Sequence, residues 1–394
     1  MKFPIILSGL LALATSATAA TPFDEIVAEI LDNNPAIRIV NERSSAQVEQ
    51  ILGENTLESP EVEFGRLWGA KDVGNKWSLS VSQSIDWPGV YAARRQAAAS
   101  QRLASRLAVE AVVIDTRAEV RNALIDLIHN AQLMTVQRQL VSQLEDFANT
   151  YRRGVEHGSE TRLDYNRAVI ELIAAKGELN SMQSSRSALL ATLRSLNGGI
   201  DAEPLVARLG DAYPIIEGID RESLSLETIS QRDPSLAAAE AAVKVAKDAS
   251  KVEKQLSLPG FTLGYEHETE MDEHFNGFTL GLTLPVWGRR HQRKAAAFET
   301  EATLIEARAA VASRVAQLNA DLERLATLRA TLDEYEPVIN SGENITLLDK
   351  ALAARQISFM TYLQELGYFL DAHKAYIDTL YEYNLTLSSL RRYN

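Results

Sequence analysis

A chain of 394 residues with 46% hydrophobic and 24% charged residues is too apolar for a disordered tail and too charged for a polytopic inner-membrane protein. A formal charge of -13 argues against a nucleic-acid binder, and zero Cys excludes disulfides, thiolate metal sites, Cys nucleophiles and an acyl-Cys lipid anchor. Gly and Pro together number 31 (20 plus 11), about 8% against the roughly 12% of ordinary chains, so the elements should be long and uninterrupted.

Residues 1–20 read as a cleaved signal peptide. Met1 and Lys2 give a positive start, Phe3 to Leu13 an apolar run too short to span a bilayer, and Ala17-Thr18-Ala19 the small residues that signal peptidase needs. The mature chain is expected to start at Ala20 or Thr21, beyond the inner membrane. No later window is apolar for long enough to form a transmembrane helix.

The rest is a duplication. Asn34-Pro35 returns as Asp233-Pro234, Pro60 as Pro259 and Gly65 as Gly264, each 199 positions on. WSLSVSQSIDWPG (77–89) returns as FTLGLTLPVWG (278–288), and the block from Thr161 to Tyr165 aligns with Ser358 to Tyr362 at an offset of 197. The organisation is a first repeat at 21–199, a connector or equatorial region at 200–232, and a second repeat at 233–394.

Each repeat should open with a helix after a Pro, at Pro35 to Glu58 and Pro234 to Ser257. A strand pair follows, at about 60–87 and about 259–286. Trp77, Leu79, Val81, Ile85 and Trp87 alternate with Ser78, Ser80, Ser82, Ser84 and Asp86; Phe261, Leu263 and Tyr265, then Phe278, Leu280, Leu282, Leu284 and Val286, alternate similarly. Val90 to Arg153 holds no Gly or Pro and reads as one very long helix, its seam carried by Leu103, Leu107, Val120, Leu124, Leu127 and Leu140. After Gly154 and Gly158 a return helix runs through Thr161 to Asn197 and ends at Gly198-Gly199. In the second repeat the helix from Arg289 is interrupted by Pro337, and a return helix is expected from about Glu343 to Arg391.

Four amphipathic strands cannot close a barrel, and open sheet edges are not tolerated in lipid. Either the sheet lies under a soluble lid, or several chains pool strands; eight, twelve or sixteen are all allowed. Aromatic residues near strand ends, Trp68, Trp77, Trp87, Phe261, Phe278 and Trp287, favour pooling as interfacial girdles against outer-membrane lipid.

These ordered, duplicated blocks resemble the TolC-like outer-membrane efflux channels. SQSIDWPG and LTLPVWGRR are similar to that family's strand-to-helix junctions, EHGSETRLDYNRA (156–168) to its helical tip, and EYNLTLSSL (382–390) to its last helix. The style of the sequence is similar to the metal-efflux branch. The resemblance implies a mainly α chain with a small β part: long antiparallel helices forming an α-barrel, and four strands given to a trimeric 12-stranded outer-membrane β-barrel. It implies a homotrimer spanning into the periplasm, docked to a periplasmic adaptor (membrane fusion) protein and an inner-membrane pump of the RND type, a passive exit duct for metal ions or small toxic compounds with no cofactor. Tip or adaptor contacts would be Gly158, Thr161, Asp164, Tyr165, Arg355, Ser358 and Tyr362. The aperture would be lined by Asp164, Thr361, Gln364 and Glu365; the family's aperture acids fall on Thr361 and Gln364, and Glu365 is their nearest substitute. Arg355 stands where the first tip has its turn Gly, and Asp164 is expected to pair across the aperture with it.

YEHETEMDEHF (265–275) mixes His267 and His274 with acids, ligand types suited to divalent cations, although an acidic hydrated loop explains it as well. His129 and His373 are expected to be packing or surface residues. No GxSxG, HExxH, Walker or GxGxxG signature supports an enzyme. A periplasmic coiled-coil adaptor or structural protein would explain the helices but not the strands, and a protein-secretion exit duct uses the same tube.

Overall fold

The computed structural model describes residues 22–54, 56–70, 74–214, 233–270, 273–285, 289–339 and 343–391. The expected signal peptide, most of the connector and Trp287 lie outside the described residues. In order, the elements are α1 (Pro22–Asn33), α2 (Pro35–Glu54), β1 (Glu61–Trp68), β2 (Asn75–Ile85), α3 (Pro88–Glu156), α4 (Arg162–Leu196), α5 (Glu203–Leu209), α6 (Pro234–Gln255), β3 (Gly260–Glu270), β4 (Glu273–Thr283), α7 (Arg289–Ile339), α8 (Glu343–Ala353) and α9 (Phe359–Leu390).

Helix α3 is 69 residues, about 104 Å at the α-helical rise. Pro88 starts it, where a missing N–H costs nothing, and Gly158 follows its end. Its buried residues recur by sevens, Val120, Leu127, Met134, Val141 and Ala148 in one row and Ala123, Asn130, Gln137 and Leu144 in another. On α4 the matching row is Ala168, Ala175 and Met182. This is a coiled-coil hairpin. Two polar residues fix its register: Gln137 Nε2 donates to the Ala175 carbonyl at 3.0 Å and Asn130 Nδ2 to that of Met182 at 3.2 Å. Leu103, expected in the seam, is 46% exposed; nearer the sheet α3 packs against α6 and α2 through small residues such as Ser100 and Ser105.

Helix α9 lies antiparallel beside α3, tied by Ser388 to Asn122 at 3.0 Å, Tyr381 to Asp126 at 2.7 Å and His129 to Asp378 at 2.7 Å. His129 also stacks on Tyr381, so it is a packing residue. Helix α7 lies antiparallel beside α9 through Arg324 to Glu382 and Ser389 to Asp321. The wall therefore reads α4, α3, α9, α7. Its waist is the largest core: Phe23, Ile26 and Ile30 of α1 and Leu205 of α5 pack onto Val120, Leu124, Ile128 and Leu193.

Three expectations are corrected. α1 is an additional helix, amphipathic but only 12 residues long, so its signal is weak beside the longer elements. Pro337 does not interrupt α7, which continues to Ile339; a Pro near the C-terminal end disturbs only one turn. The return helix is two elements, since α8 ends at Ala353 and the second tip separates it from α9.

Candidate functional site

The four strands form one antiparallel sheet in the order β1-β2-β3-β4. Alternation sorts them into two faces. One face carries Val62, Phe64 and Arg66, then Trp77, Leu79, Val81 and Ile85, then Phe261, Leu263, Tyr265, His267 and Thr269, then His274, Asn276, Phe278, Leu280 and Leu282, aligned in rows such as Val62-Val81-Tyr265-Phe278. The other carries Glu61, Glu63, the serines of β2, Glu266, Glu268, Glu270, Thr279 and Thr283. Lys76 is ion-paired with Glu268 there.

The apolar face is bare. Phe278 is 90% exposed, Leu280 76% and Phe64 65%. Among the described residues no strand pairs with the outer edge of β1 or of β4. The helical wall ends the same way: Leu163, Ile170 and Ile173 are exposed on α4, and the latter two sit two positions from heptad residues, about 200° round the helix from α3. No described helix is long and apolar enough to cross a membrane.

Trp77 and Trp87 lie near opposite ends of the apolar face. Trp87 follows the end of β2 by two residues; ten residues of extended chain span about 34 Å, or about 26 Å in height at the ~40° tilt usual in such barrels, close to the ~25 Å apolar band of a membrane barrel. Phe64 is 6.4 Å from Trp77 at one end, and Phe261 stacks on Trp87 at 6.1 Å at the other. Trp68 ends β1 and is 75% exposed. Phe278 is not at an end. β4 starts at Glu273, five residues before it, so it sits at mid-height opposite Tyr265.

That early start also means residues 265–275 are largely strand, not loop. Alternation puts His267 and His274 on one face and Glu266, Glu268, Glu270 and Glu273 on the other, and no group of three ligand-type residues fit for a metal occurs among the described residues.

At the opposite end of the molecule the two repeats make the same turn. The N–H groups of His157, Gly158 and Ser159 donate to the carbonyls of Arg153, Val155 and Gly154; those of Ala354, Arg355 and Gln356 donate to Lys350, Leu352 and Ala351, each 197 residues later. Gly158 has φ 74° and Arg355 φ 55°. The next helix is then capped: the Thr161 hydroxyl accepts from the Asp164 N–H, and the Ser358 hydroxyl from the Thr361 N–H, both at 3.1 Å. Thr161 also donates to the Asp164 carboxylate.

Arg355 lines a cleft of about 670 Å³ with Tyr151, Glu160, Asp349 and Phe359; Asp164 is not in its lining. Burial, then the charges of Glu160 and Asp164, pushes the Tyr151 hydroxyl up to about 12. Tyr362 is not a surface contact. It is wholly buried, donating to Asp349 at 2.8 Å and accepting from Gln143 at 2.6 Å, and burial raises its pKa above the ordinary tyrosine range. Tyr165 is half-buried, while Thr161, Ser358, Thr361, Gln364 and Glu365 are exposed or partly so. Neither partner has a local signature in the sequence, since Gln143 lies 219 residues from Tyr362 and Asp349 lies on a different helix.

The family model described as "Outer membrane efflux protein" matches residues 27–199 and 226–344. No curated protein matches the chain by sequence. Among solved structures it is similar to the Campylobacter jejuni CmeC outer membrane channel, at TM-score 0.80 and 14% identity over 100% of this chain and 93% of that one. A membrane protein from Pseudomonas aeruginosa gives 0.80 at 18% identity, over 95% and 93% of the two chains. The open state of the Neisseria gonorrhoeae MtrE outer membrane channel gives 0.78 at 18%, over 94% and 88%.

Proposed function

The chain belongs to the outer membrane efflux protein family, a family of channels, and we propose that it is one third of a trimeric exit duct. It is an outer-membrane channel of a tripartite efflux system. The observation that carries the pooling of strands between chains is the bare, unclosed sheet: four strands with an exposed apolar face and, among the described residues, two unpaired edges, continuous with a helical wall whose α4 flank also exposes apolar residues; the number three follows the family resemblance. Three copies give a closed barrel of twelve strands, an even number as such barrels use, with the apolar face in lipid and the Ser, Thr and Glu face lining water. The helices continue as an α-barrel into the periplasm.

In this reading residues 1–20 are removed on export and, with no Cys in the chain, no acyl-Cys anchor tethers it. The tips meet a periplasmic adaptor, and an RND-type inner-membrane pump supplies the cargo, small toxic compounds or metal ions; the duct itself needs no cofactor and carries out no chemistry. The outward-facing surfaces of Gly158, Thr161, Tyr165, Arg355 and Ser358 present the tip to the adaptor, and Thr361, Gln364 and Glu365 border the aperture. Within one chain Asp164 is held by Thr161, so the latch we assign is an Asp164–Arg355 pair between neighbouring chains. Unchanged single-channel conductance in Asp164→Asn would sink that latch.

Detergent extraction, sizing and negative-stain imaging test the architecture. The expected particle is an elongated tube of three chains; a compact monomer would overturn it.

A further inference from the structure

The lipid-facing side of the sheet ends, away from the helices, in a chemically distinct rim. Resting on the channel reading above, this end lies at the outer leaflet. Its last rows are Phe64-Leu79-His267-Asn276 and Arg66-Trp77-Thr269-His274. Charge is sorted with unusual strictness for a chain of -13: Glu61, Glu63, Glu266, Glu268, Glu270 and Glu273 all stand on the water-facing side, and the lipid-facing side carries Arg66, His267 and His274 with no acid.

The rim is also organised. The Arg66 guanidinium lies 5.9 Å from the Trp68 ring, is exposed, and has no carboxylate in ion-pair reach among the described residues. Trp77 packs on His267 at 5.0 Å, and His267 stacks on His274 at 5.7 Å. Each imidazole is oriented through Nδ1, His267 by Asn276 at 2.7 Å and His274 by Thr269 at 3.0 Å. Arg66 and His274 sit three strands apart, about 14 Å.

We propose that this rim binds a phosphorylated glycolipid of the outer leaflet. Arg66 offers the planar fork that matches a phosphate and is less strongly hydrated than an ammonium, so it tolerates the interface. The indoles of Trp68 and Trp77 offer flat faces to a sugar ring, and His274, whose Nδ1 can accept from the Thr269 hydroxyl, offers an Nε2–H donor at the far end of the row. A disaccharide with a phosphate at each end fits that spread better than a single-phosphate phospholipid head. The bare Leu, Val and Phe rows below receive the acyl chains.

The test uses the intact protein in phosphatidylcholine nanodiscs doped with a diphosphorylated disaccharide lipid, its dephosphorylated form, or phosphatidylglycerol, with bound lipid read by native mass spectrometry. Wild type should retain the diphosphorylated form preferentially, and Arg66→Gln should lose about tenfold in retention, as removal of a charged hydrogen bond implies. His274→Gln should give a smaller loss. Equal retention of all three lipids, or an unchanged Arg66→Gln, overturns the proposal. Stoichiometry is read in the same spectra: a trimer without lipid preference sinks only this inference, whereas absence of a trimer sinks the channel reading and this inference with it.

Discussion

Gly158 and Arg355 occupy the same place in the same turn, 197 residues apart, with φ 74° and 55°. The left-handed conformation is free for Gly and costs an L-residue with a Cβ about 1–2 kcal/mol. The second tip therefore carries strain that the first does not. Arg355→Gly should stabilise it by about 1 kcal/mol, and Gly158→Ala should cost the first tip a similar amount. Hydrogen exchange resolved to the two turns checks both signs; equal protection in wild type and Arg355→Gly would contradict this.

Tyr362 ties three helices together at that tip, through Asp349 of α8 and Gln143 of α3. Tyr362→Phe keeps the ring packed against Phe147 and removes only the hydroxyl. Because Asp349 is largely exposed and can turn to water, the loss should be modest, about 1 kcal/mol. It should appear as faster exchange in α8 with α4 unaffected, and as a rise in single-channel conductance if α8 helps hold the aperture shut.

His373 of α9 gives the helical wall an acid sensitivity. Burial lowers its pKa below 6.5, so the unfolded chain binds the proton more readily. The contribution to stability is full above pH 6.5 and is lost as pH falls through the lower folded value. Thermal unfolding between pH 7 and pH 5, a window chosen around His titration, should shift less in His373→Leu than in wild type.

The two sheet faces should respond oppositely to charge. Phe278→Arg places a cation at mid-height in lipid, which costs about 2–4 kcal/mol in membrane barrels, whereas Ser80→Arg faces water and should cost little. Heat-modifiable gel migration after refolding into vesicles separates the two: loss of the folded band is expected for the first substitution alone.

Much of the fold is legible in the sequence. The 197-residue offset brought Gly158 onto Arg355 and Thr161 onto Ser358, and both the turns and the caps repeat at that offset, because hydrogen bonds over three to five residues are written in local sequence. Strand alternation likewise sorted Trp77 to Ile85 from the serines of β2. It could not show where a strand begins. Phe275 interrupts the alternation on the polar face, so the pattern alone starts β4 at Phe278 and makes a loop of the acids and histidines before it. Long-range facts had no local signature. Nothing near Tyr362 in sequence shows that its hydroxyl is enclosed by Gln143 on another helix, and nothing near Leu103 shows that α6, rather than a leucine seam, meets α3 there.

In the trimeric channel we propose, β1 of one chain closes on β4 of the next until three chains complete the ring. With no native Cys, the chain permits a direct measurement. One Cys is introduced on the β1 edge, at Val62 or Phe64, and one on the β4 edge, at Phe278, Leu280 or Leu282, and the assembled protein is oxidised in membranes and run on a denaturing gel. A ring of three gives, for the pair that is in register, a ladder of one, two and three chains that stops at three. A ladder ending at two or passing three, or no cross-link for any pair, would contradict it.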